Sequence, residues 1–241
     1  HPDYFRVDEQ ENRVNDYNCC PSSQEALEII ARNAKARAEK YPPTNHKYYF
    51  WLDDGGNKCF CDKCRDLNDS DQALLIENRI IEALREVDDK AMLAHLSYQN
   101  TLVPPAKVKP AEGVFLEFAP FFRTWERPLD EREAQRAGMQ ITHGEYLDAL
   151  EANLKVFPAE TAQVLESWLD VSLVSDWKKP ARQLTWHGDV FRSDIATYAR
   201  LGIRNITAYA IYLDADYVDA FHDVSFVYDY GKVLWEYRPE K

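Results

Sequence analysis

The sequence predicts an α/β fold in which a largely parallel β-sheet is covered by helices. Apolar runs of strand length alternate with helical patterns about five times along the 241 residues. The strand runs are almost continuously apolar, as in parallel sheets that are buried on both faces. No internal repeat or low-complexity linker divides the sequence, so we expect a single α/β domain over residues 1–241.

The first predicted elements are a capped helix and an aromatic strand. Ser22, with Glu25 three residues later, has the spacing of a capping box, so a helix is expected to begin there and to run to residue 40. Two prolines follow and end this helix. The aromatic run at residues 46–52 then predicts a strand, and the Gly- and Cys-rich stretch after it predicts a loop.

The rest of the chain continues the alternation of helix and strand. Apolar residues at helical spacing predict helices over residues 71–87, 143–157, 159–168, 193–201 and 220–237. Short apolar or β-branched runs predict strands over residues 92–98, 114–119, 171–175 and 206–213. Five strands are therefore expected in all.

Charge and composition narrow the class of ligand. The formal net charge of -12 leaves no basic face to neutralise phosphates, so we expect no nucleic-acid partner and favour neutral or cationic ligands. No stretch approaches the roughly 18 consecutive apolar residues of a membrane span. The 14 Tyr, 11 Phe and 6 Trp residues supply aromatic surface for sugar rings, although most aromatic residues in any protein belong to its core.

Polar side chains follow the predicted strands. In a parallel α/β fold these positions converge on one edge of the sheet, where sites are built. They are Asp53 and Asp54, Gln99 and Asn100, Arg123 and Trp125, Asp176 and Trp177, and Asp214 and Asp216. Carboxylates thus recur at or near most strand ends, although Asp also favours turns for structural reasons.

The adjacent carboxylates of Asp53 and Asp54 are the main catalytic candidates. Neighbouring strand positions face opposite sides, so one carboxylate can meet a ligand while the other supports it. In glycoside hydrolysis one carboxylic acid protonates the leaving oxygen and a second carboxylate acts as nucleophile, base or orienting group. Glu117 and Asp176 are the alternative partners. The structural alternative is an Asp-Asp-Gly-Gly turn in which the aspartates cap backbone amides.

Aromatic candidates for substrate binding are Tyr98, Trp125 and Trp177, which would stack on sugar rings. The sequence contains neither a Gly-rich phosphate loop nor a Gly-x-Ser-x-Gly elbow, which disfavours a nucleotide cofactor and serine hydrolysis. We therefore expect carboxylate chemistry on a carbohydrate, with no cofactor for catalysis.

The five cysteines fall in two predicted loops. Cys59, Cys61 and Cys64 have C-x-C-x-x-C spacing, one ligand short of a tetrahedral thiolate zinc site, and Cys20 or Cys19 could supply the fourth. We expect Cys20 to do so, and such a zinc would be structural because no position remains for water. One or two disulfides in an exported protein are the competing interpretation, and a redox Cys-x-x-Cys role is a weaker one.

Four motifs resemble, in order, a bacterial family of uncharacterised proteins. They are HPDYF at residues 1–5, CPSSQEALEIIARN at 20–33, DDGGNKCFCDKC at 53–64 and SYQNTLVPPAKVKP at 97–110. The resemblance implies a glycoside-hydrolase-like (β/α)8 barrel in mostly exported proteins, distantly similar to hexosaminidases of the O-GlcNAcase type. In those enzymes an Asp-Asp pair assists the substrate's own acetamido group. The matching pair here is Asp53 and Asp54, where the family motif has Asn-Asp.

With five strands, the chain would hold the later five βα units of such a barrel, and the first three strands would lie upstream of His1. Three hypotheses follow: a glycosidase, a glycan-binding barrel that does not hydrolyse, and a structural module stapled by zinc. The resemblance also implies export, with a signal segment encoded upstream of His1.

Overall fold

The computed structural model describes residues 1–16, 18–54 and 56–237. Its α-helices are α1 (Gln24–Lys40), α2 (Asp69–Arg85), α3 (His143–Asn153), α4 (Val171–Val174), α5 (Gly188–Arg200), α6 (Ala215–Phe221) and α7 (Ser225–Glu236). Its strands are β1 (Lys47–Tyr48), β2 (Met92–Ser97), β3 (Val114–Phe118), β4 (Gln163–Glu166) and β5 (Asn205–Ala208). Among the described residues, no helix combines the length and apolar character that a membrane crossing requires.

The strands form a sheet in the order β1-β2-β3-β4-β5. β1 pairs in parallel with β2, with Lys47 opposite Met92, and β4 pairs in parallel with β5, with Gln163 opposite Asn205. Parallel neighbours that follow one another in the chain need crossover connections, which helices supply in an α/β fold. The predicted α/β class with a parallel sheet is confirmed, whereas closure of the strands into a barrel stays a prediction.

The chain divides into two compact units by its internal contacts. The first unit comprises His1–Glu117 and Ala152–Pro158, and the second comprises Phe118–Glu151 and Ala159–Lys241. The expectation of a single domain stays a prediction.

The first unit is built on the packing of α1 against α2. The buried face of α1 consists mainly of alanines, at positions 26, 31, 34 and 38, and small side chains let two helix axes approach closely. Helix α2 supplies the larger apolar groups, among them Leu74 and Leu84, which are fully buried. The apolar residues of α2 repeat at the helical spacing from which this helix was predicted.

The start of α1 differs from the prediction. The cap residue is Ser23, and no side-chain hydrogen bond caps the helix. The Ser22 hydroxyl lies instead 3.1 Å from Cys20 Sγ and 3.6 Å from Cys61 Sγ. The predicted capping box at Ser22 is therefore wrong, because a cluster of cysteines engages the hydroxyl that was expected to cap the helix.

A capping box does occur at the start of α2. Asn68 Oδ1 accepts a hydrogen bond from the Asp71 N–H, and Asp71 Oδ2 accepts one from the Asn68 N–H. Asp71 Oδ1 accepts the backbone N–H groups of Ala106, Lys107 and Val108 at 2.7–3.0 Å. Burial opposes ionisation of Asp71, but the backbone hydrogen bonds outweigh it and lower the pKa of Asp71 below 3.8. Asp71 thereby fastens the segment before β3 to α2.

A network of buried charges lies inside the second unit. Arg123 is fully buried and donates hydrogen bonds to Glu166 Oε1 and to Asp194 Oδ2, both at 2.8 Å. The Tyr198 hydroxyl donates to the same Glu166 oxygen at 2.5 Å. Burial raises the pKa of Asp194 to about 6, against the opposing effect of Arg123. Buried charges persist only when such partners compensate for lost hydration, so this network depends on Arg123.

Two predicted elements of the second unit are wrong. Residues 159–168, predicted as a helix, contain strand β4, and residues 171–175, predicted as a strand, contain helix α4. Three of the four β4 residues are buried, and a strand buried on both faces leaves no alternation by which to recognise it. Helix α4 forms because Asp170 caps it, its side chain accepting the Ser172 N–H.

Two other predictions needed smaller corrections. The single helix predicted over residues 220–237 is in fact α6 and α7, because His222 has a φ of 53°, in the left-handed region that ends helices. The strand predicted over residues 46–52 is regular only at Lys47–Tyr48, and the chain beyond it forms the wall of a pocket.

Candidate functional site

The first unit contains a pocket of about 470 Å³, called the first pocket below. Its wall includes Trp51, Asp53, Asp54, Tyr98 and Asn100. These residues come from the segments that follow β1 and β2, the carboxyl ends of two neighbouring parallel strands. The structure therefore brings together three of the predicted catalytic and substrate-binding residues, the two aspartates and the tyrosine, because the ends of neighbouring parallel strands converge.

The side chains of Asp53 and Asp54 are exposed at this pocket. Neither carboxylate accepts a hydrogen bond from any described residue or forms an ion pair with one. The chain does turn here, but the turn is closed by the backbone, with the Gly56 N–H donating to the Asp53 carbonyl at 3.2 Å. This arrangement counts against the interpretation that the aspartates serve to cap the turn, and it leaves both carboxylates accessible to a ligand.

Trp51 is held in place by Glu117. The indole Nε1 donates to Glu117 Oε2 at 2.8 Å, and Tyr49 packs edge-on against the ring at a centroid distance of 6.2 Å. Glu117 is 1% exposed, whereas Trp51 is 42% exposed. The ring is therefore held by these contacts and partly open to solvent, as a stacking surface for a sugar needs to be. Glu117 lies behind this ring, and its catalytic role stays a prediction.

Tyr98 contributes a hydroxyl group to the wall of the first pocket. Burial and the negative charge of Asp54 raise the pKa of Tyr98, so its hydroxyl keeps its proton at neutral pH. The hydroxyl oxygen accepts a hydrogen bond from Gln99 Nε2 at 2.7 Å. Nearby, Asn100 Nδ2 donates to the Gly56 carbonyl at 2.6 Å. This bond ties the segment after β2 to the turn that carries the two aspartates.

The first unit also contains a cluster of four cysteines, Cys20, Cys59, Cys61 and Cys64, whose Sγ atoms all lie within 4.8 Å of one another. The Cys20 sulfur is 3.5 Å from that of Cys59 and 3.7 Å from that of Cys61. A tetrahedral zinc site with Zn–S distances of about 2.3 Å requires sulfurs about 3.8 Å apart. No disulfide joins these cysteines. The prediction that these four residues meet is confirmed, and the cluster could hold a metal ion.

Several segments position the cysteine cluster. The Val7 N–H donates to Cys59 Sγ at 3.3 Å. Gln72 of α2 accepts the Cys59 N–H at 2.8 Å and donates to the carbonyls of Cys59 and Cys64 at 2.9 Å. Hydrogen bonds from the Cys59 and Cys64 thiols lower the pKa of Cys20, which favours the thiolate form that binds metals. Cys59 also lines the first pocket, so the cluster and the pocket share a wall.

The other predicted site residues lie in the second unit. Trp125 lines a second pocket, of about 320 Å³, and its Nε1 donates to Glu166 Oε2 at 2.8 Å. Asp176 and Trp177 line neither of these two pockets. Asp176 forms an exposed ion pair with Arg182 at 2.8 Å, and Trp177 is 55% exposed. Because β4 ends at Glu166, these two residues do not follow a strand as predicted.

The sequence analysis missed the residues that do follow β4. Glu166 ends the strand and Asp170 comes shortly after it, together with Trp168. A short apolar run can be a buried strand or part of a helix, and periodicity cannot separate the two. Interpreting residues 163–166 as a strand would have pointed to this group of carboxylates and indoles.

Comparisons of the chain with curated proteins and with solved structures gave no match. A protein family described as "Domain of unknown function (DUF4838)" matches residues 1–164. The matched region contains the first pocket and the four clustered cysteines. The predicted resemblance to a family of unknown function is confirmed, whereas likeness to hexosaminidases stays a prediction. Because the match covers more than half of the sequence, this chain belongs to the DUF4838 family.

Proposed function

We propose that this protein is a glycosidase that binds a carbohydrate in the first pocket and hydrolyses it with Asp53 and Asp54. The observation that carries the proposal is that both carboxylates are exposed at the pocket without a hydrogen-bond partner among the described residues. The fixed but open ring of Trp51 supplies a surface on which a sugar can stack. Tyr98 and Asn100 supply the polar groups that orient a sugar in a largely apolar pocket.

The chemistry divides between the two aspartates. One carboxylic acid donates a proton to the glycosidic oxygen as the bond to the leaving group breaks. The other, as a carboxylate, orients and polarises the group that attacks the anomeric carbon. On an N-acetylhexosaminide this group would be the substrate's own acetamido oxygen, as the resemblance to O-GlcNAcase-type enzymes implies. Water would then attack the anomeric carbon, the bond to the acetamido oxygen would break, and the carboxylate that had given up its proton would take one from the water.

Turnover of a panel of aryl glycosides, including N-acetylhexosaminides, tests the proposal. We expect Asp53→Asn and Asp54→Asn each to lower turnover by at least about a hundredfold, the usual scale of acid-base catalysis, with little change in stability. Asp66→Asn is the matched control, because Asp66 is also an exposed aspartate of the first unit but does not line the pocket. Full activity in both pocket variants would refute the assignment.

A carbohydrate-binding protein without hydrolysis is the second candidate. It is favoured by the exposure of both aspartates, because catalytic acids are commonly buried in apolar surroundings. In this case Trp51→Ala should abolish binding of an oligosaccharide, while no aryl glycoside is turned over by the parent protein. Turnover that Asp54→Asn removes would decide for the glycosidase.

We further propose that the four clustered cysteines bind one structural zinc ion. The support is the match between the observed sulfur separations of 3.5 and 3.7 Å and the separation of about 3.8 Å that tetrahedral zinc requires. Four thiolates leave no coordination position for water, so the ion would shape the loop beside the first pocket and take no part in hydrolysis.

Elemental analysis of the purified protein tests the zinc proposal, with one zinc per chain as the expected result. Cys61→Ser should lose most of the metal, whereas Cys19→Ser should keep it, because Cys19 lies outside the cluster. Metal-free protein with the four sulfurs in disulfides would contradict the proposal. Export is proposed from the family resemblance alone, and fractionation of the producing cells tests it.

A further inference from the structure

The second pocket is lined by three tryptophans, Trp125, Trp168 and Trp186. Its volume of about 320 Å³ is at the lower end of the range for small-molecule sites. All residues that line it belong to the second unit. A small cavity with this much indole surface suits a compact, ring-shaped ligand.

The three indoles are fixed before any ligand arrives. Each indole N–H donates to a carboxylate at 2.8–2.9 Å: Trp125 to Glu166, Trp168 to Asp194, and Trp186 to Asp229. Two of these carboxylates are held in turn by the buried guanidinium of Arg123. Because the rings are already ordered, a ligand that packs on them loses little free energy to ordering the site.

Asp170 gives the pocket a polar group that the fold itself leaves unsatisfied. Its side chain is 2% exposed, and its Oδ1 accepts hydrogen bonds from the Ser172 hydroxyl at 2.5 Å and from the Ser172 N–H at 3.0 Å. Its Oδ2 is buried and has no hydrogen-bond partner among the described residues. Burial raises the pKa of Asp170, against the hydrogen bonds from Ser172. An unsatisfied buried oxygen of this kind is costly, and a hydroxyl donor would relieve that cost.

The charges around the pocket favour a neutral ligand. Its wall contains two guanidinium groups, of Arg123 and Arg136, and two carboxylates, of Glu126 and Asp170. The Arg136 guanidinium already lies over the Trp125 ring, 5.9 Å from its centroid, where a cationic ligand would compete with it. An anionic ligand would meet the carboxylate of Asp170. Because the positive and negative groups of the pocket wall balance, the pocket disfavours both cationic and anionic ligands. A ligand would then be recognised by hydrogen bonding and stacking.

We propose that the second pocket binds one neutral sugar ring, whose apolar face packs on the indole surface that remains open and one of whose hydroxyls donates to Asp170 Oδ2, after a rotation of the carboxylate that exposes this oxygen to the ligand. A pyranose combines the required features, because its C–H face is apolar and its hydroxyls are donors that carry no charge. This site belongs to the second unit and does not depend on hydrolysis in the first pocket. The protein would then hold two carbohydrate sites, one in each unit.

Fluorine NMR of the full chain labelled with fluorotryptophan tests the proposal. The probes are methyl glycosides of hexoses and N-acetylhexosamines, for which a dissociation constant of about 1 mM is typical of a single small ring. Trp→Phe variants of the three tryptophans outside this pocket, Trp51, Trp177 and Trp235, assign their own resonances, so the remaining three belong to the pocket. We expect at least one glycoside to shift the resonances of Trp125, Trp168 or Trp186 in a saturable manner, a measurement that needs no pocket variant to fold.

Variants identify the contact with Asp170. Asp170→Asn keeps an oxygen for the Ser172 hydrogen bonds but loses the unsatisfied acceptor, so we expect binding at this pocket to weaken at least about tenfold. Asp216→Asn, an exposed change in the same unit, and Asp54→Asn, in the first pocket, should leave it unchanged. The proposal is overturned if glycosides shift only the Trp51 resonance. Equal binding by Asp170→Asn, or tighter binding of tetramethylammonium than of any glycoside, would also overturn it.

Discussion

Replacing Arg123 with methionine should destabilise the second unit severely. The side chain is fully buried, and its removal leaves the carboxylates of Glu166 and Asp194 in the interior without their counterion. Removing one partner of a buried ion pair typically costs about 3–5 kcal/mol, and two ion pairs are lost here, so we expect about 4–5 kcal/mol. At roughly 2–4 °C per kcal/mol for a chain of this length, the Tm should fall by about 8–20 °C.

The size of this loss should depend on pH, in a direction fixed by the carboxylates. Burial already raises the pKa of Asp194 to about 6 in the intact protein, and loss of the guanidinium removes the effect that opposes the rise. A carboxyl group whose pKa is higher in the folded than in the unfolded state stabilises the fold at low pH, and this contribution is lost as the pH rises through the folded pKa. The deficit of the variant should therefore be smaller at about pH 5 than at about pH 8.

Urea unfolding followed by tryptophan fluorescence and circular dichroism at the two pH values measures both effects. Arg127→Met is the control, because Arg127 pairs with Glu131 on the surface, where an ion pair contributes at most about 1 kcal/mol. A loss below about 1 kcal/mol for Arg123→Met, or a loss that is larger at the lower pH, would show that this network does not carry the stability assigned to it.

Three further predictions concern a buried aspartate, two glycines and the candidate metal. Asp71→Ala should cost about 2–4 kcal/mol, because it leaves backbone N–H groups of residues 106–108 without an acceptor. Since the pKa of Asp71 is lowered in the fold, this stabilisation is complete above the unfolded-state pKa and is lost as the pH falls through the lower folded-state pKa. Urea unfolding near neutral pH should therefore show the largest difference between the two proteins. Gly113→Ala should lower the stability by about 1–3 kcal/mol in the same assay, because φ is 94° and a Cβ would lie 2.9 Å from the Ala91 carbonyl oxygen. Gly231→Ala should instead raise the stability by about 0.5–1 kcal/mol, because Gly231 lies within α7 with open space around it. In protein kept at a free zinc concentration of about a thousand times Kd, removing the proposed zinc with a chelator should lower the Tm by roughly 8–16 °C. An unchanged Tm after chelation would count against a structural ion.

The parts of the fold that the sequence predicts well are those where burial follows one clear period. Helix α2 was expected over residues 71–87 and occurs at Asp69–Arg85, because its apolar residues repeat at the spacing of one helix face. Around β4 the same reasoning fails. Glu166 is a buried residue of β4, and its carboxylate accepts a hydrogen bond from Arg123. A carboxylate at a buried strand position interrupts the apolar run by which a covered strand is recognised.

The candidate site likewise contains some residues that could be predicted from the sequence and some contacts that could not. Asp53, Asp54 and Tyr98 could be predicted because the ends of neighbouring parallel strands converge whatever the details of packing. The anchoring of Trp51 by Glu117 joins residues 66 positions apart, and no local spacing specifies such a contact. The pocket at Asp170 was missed because it depends on where β4 ends.

The cysteine cluster has a topological consequence. With a metal bound, the backbone from Cys20 to Cys59 becomes part of a closed ring, because both ends are ligands of the same ion. Helix α1 and the segment that carries Trp51, Asp53 and Asp54 lie inside this ring. A single protease cut between the two cysteines would open the chain without releasing either piece. The nicked protein should run as one particle in mild denaturant until a chelator separates it into two fragments.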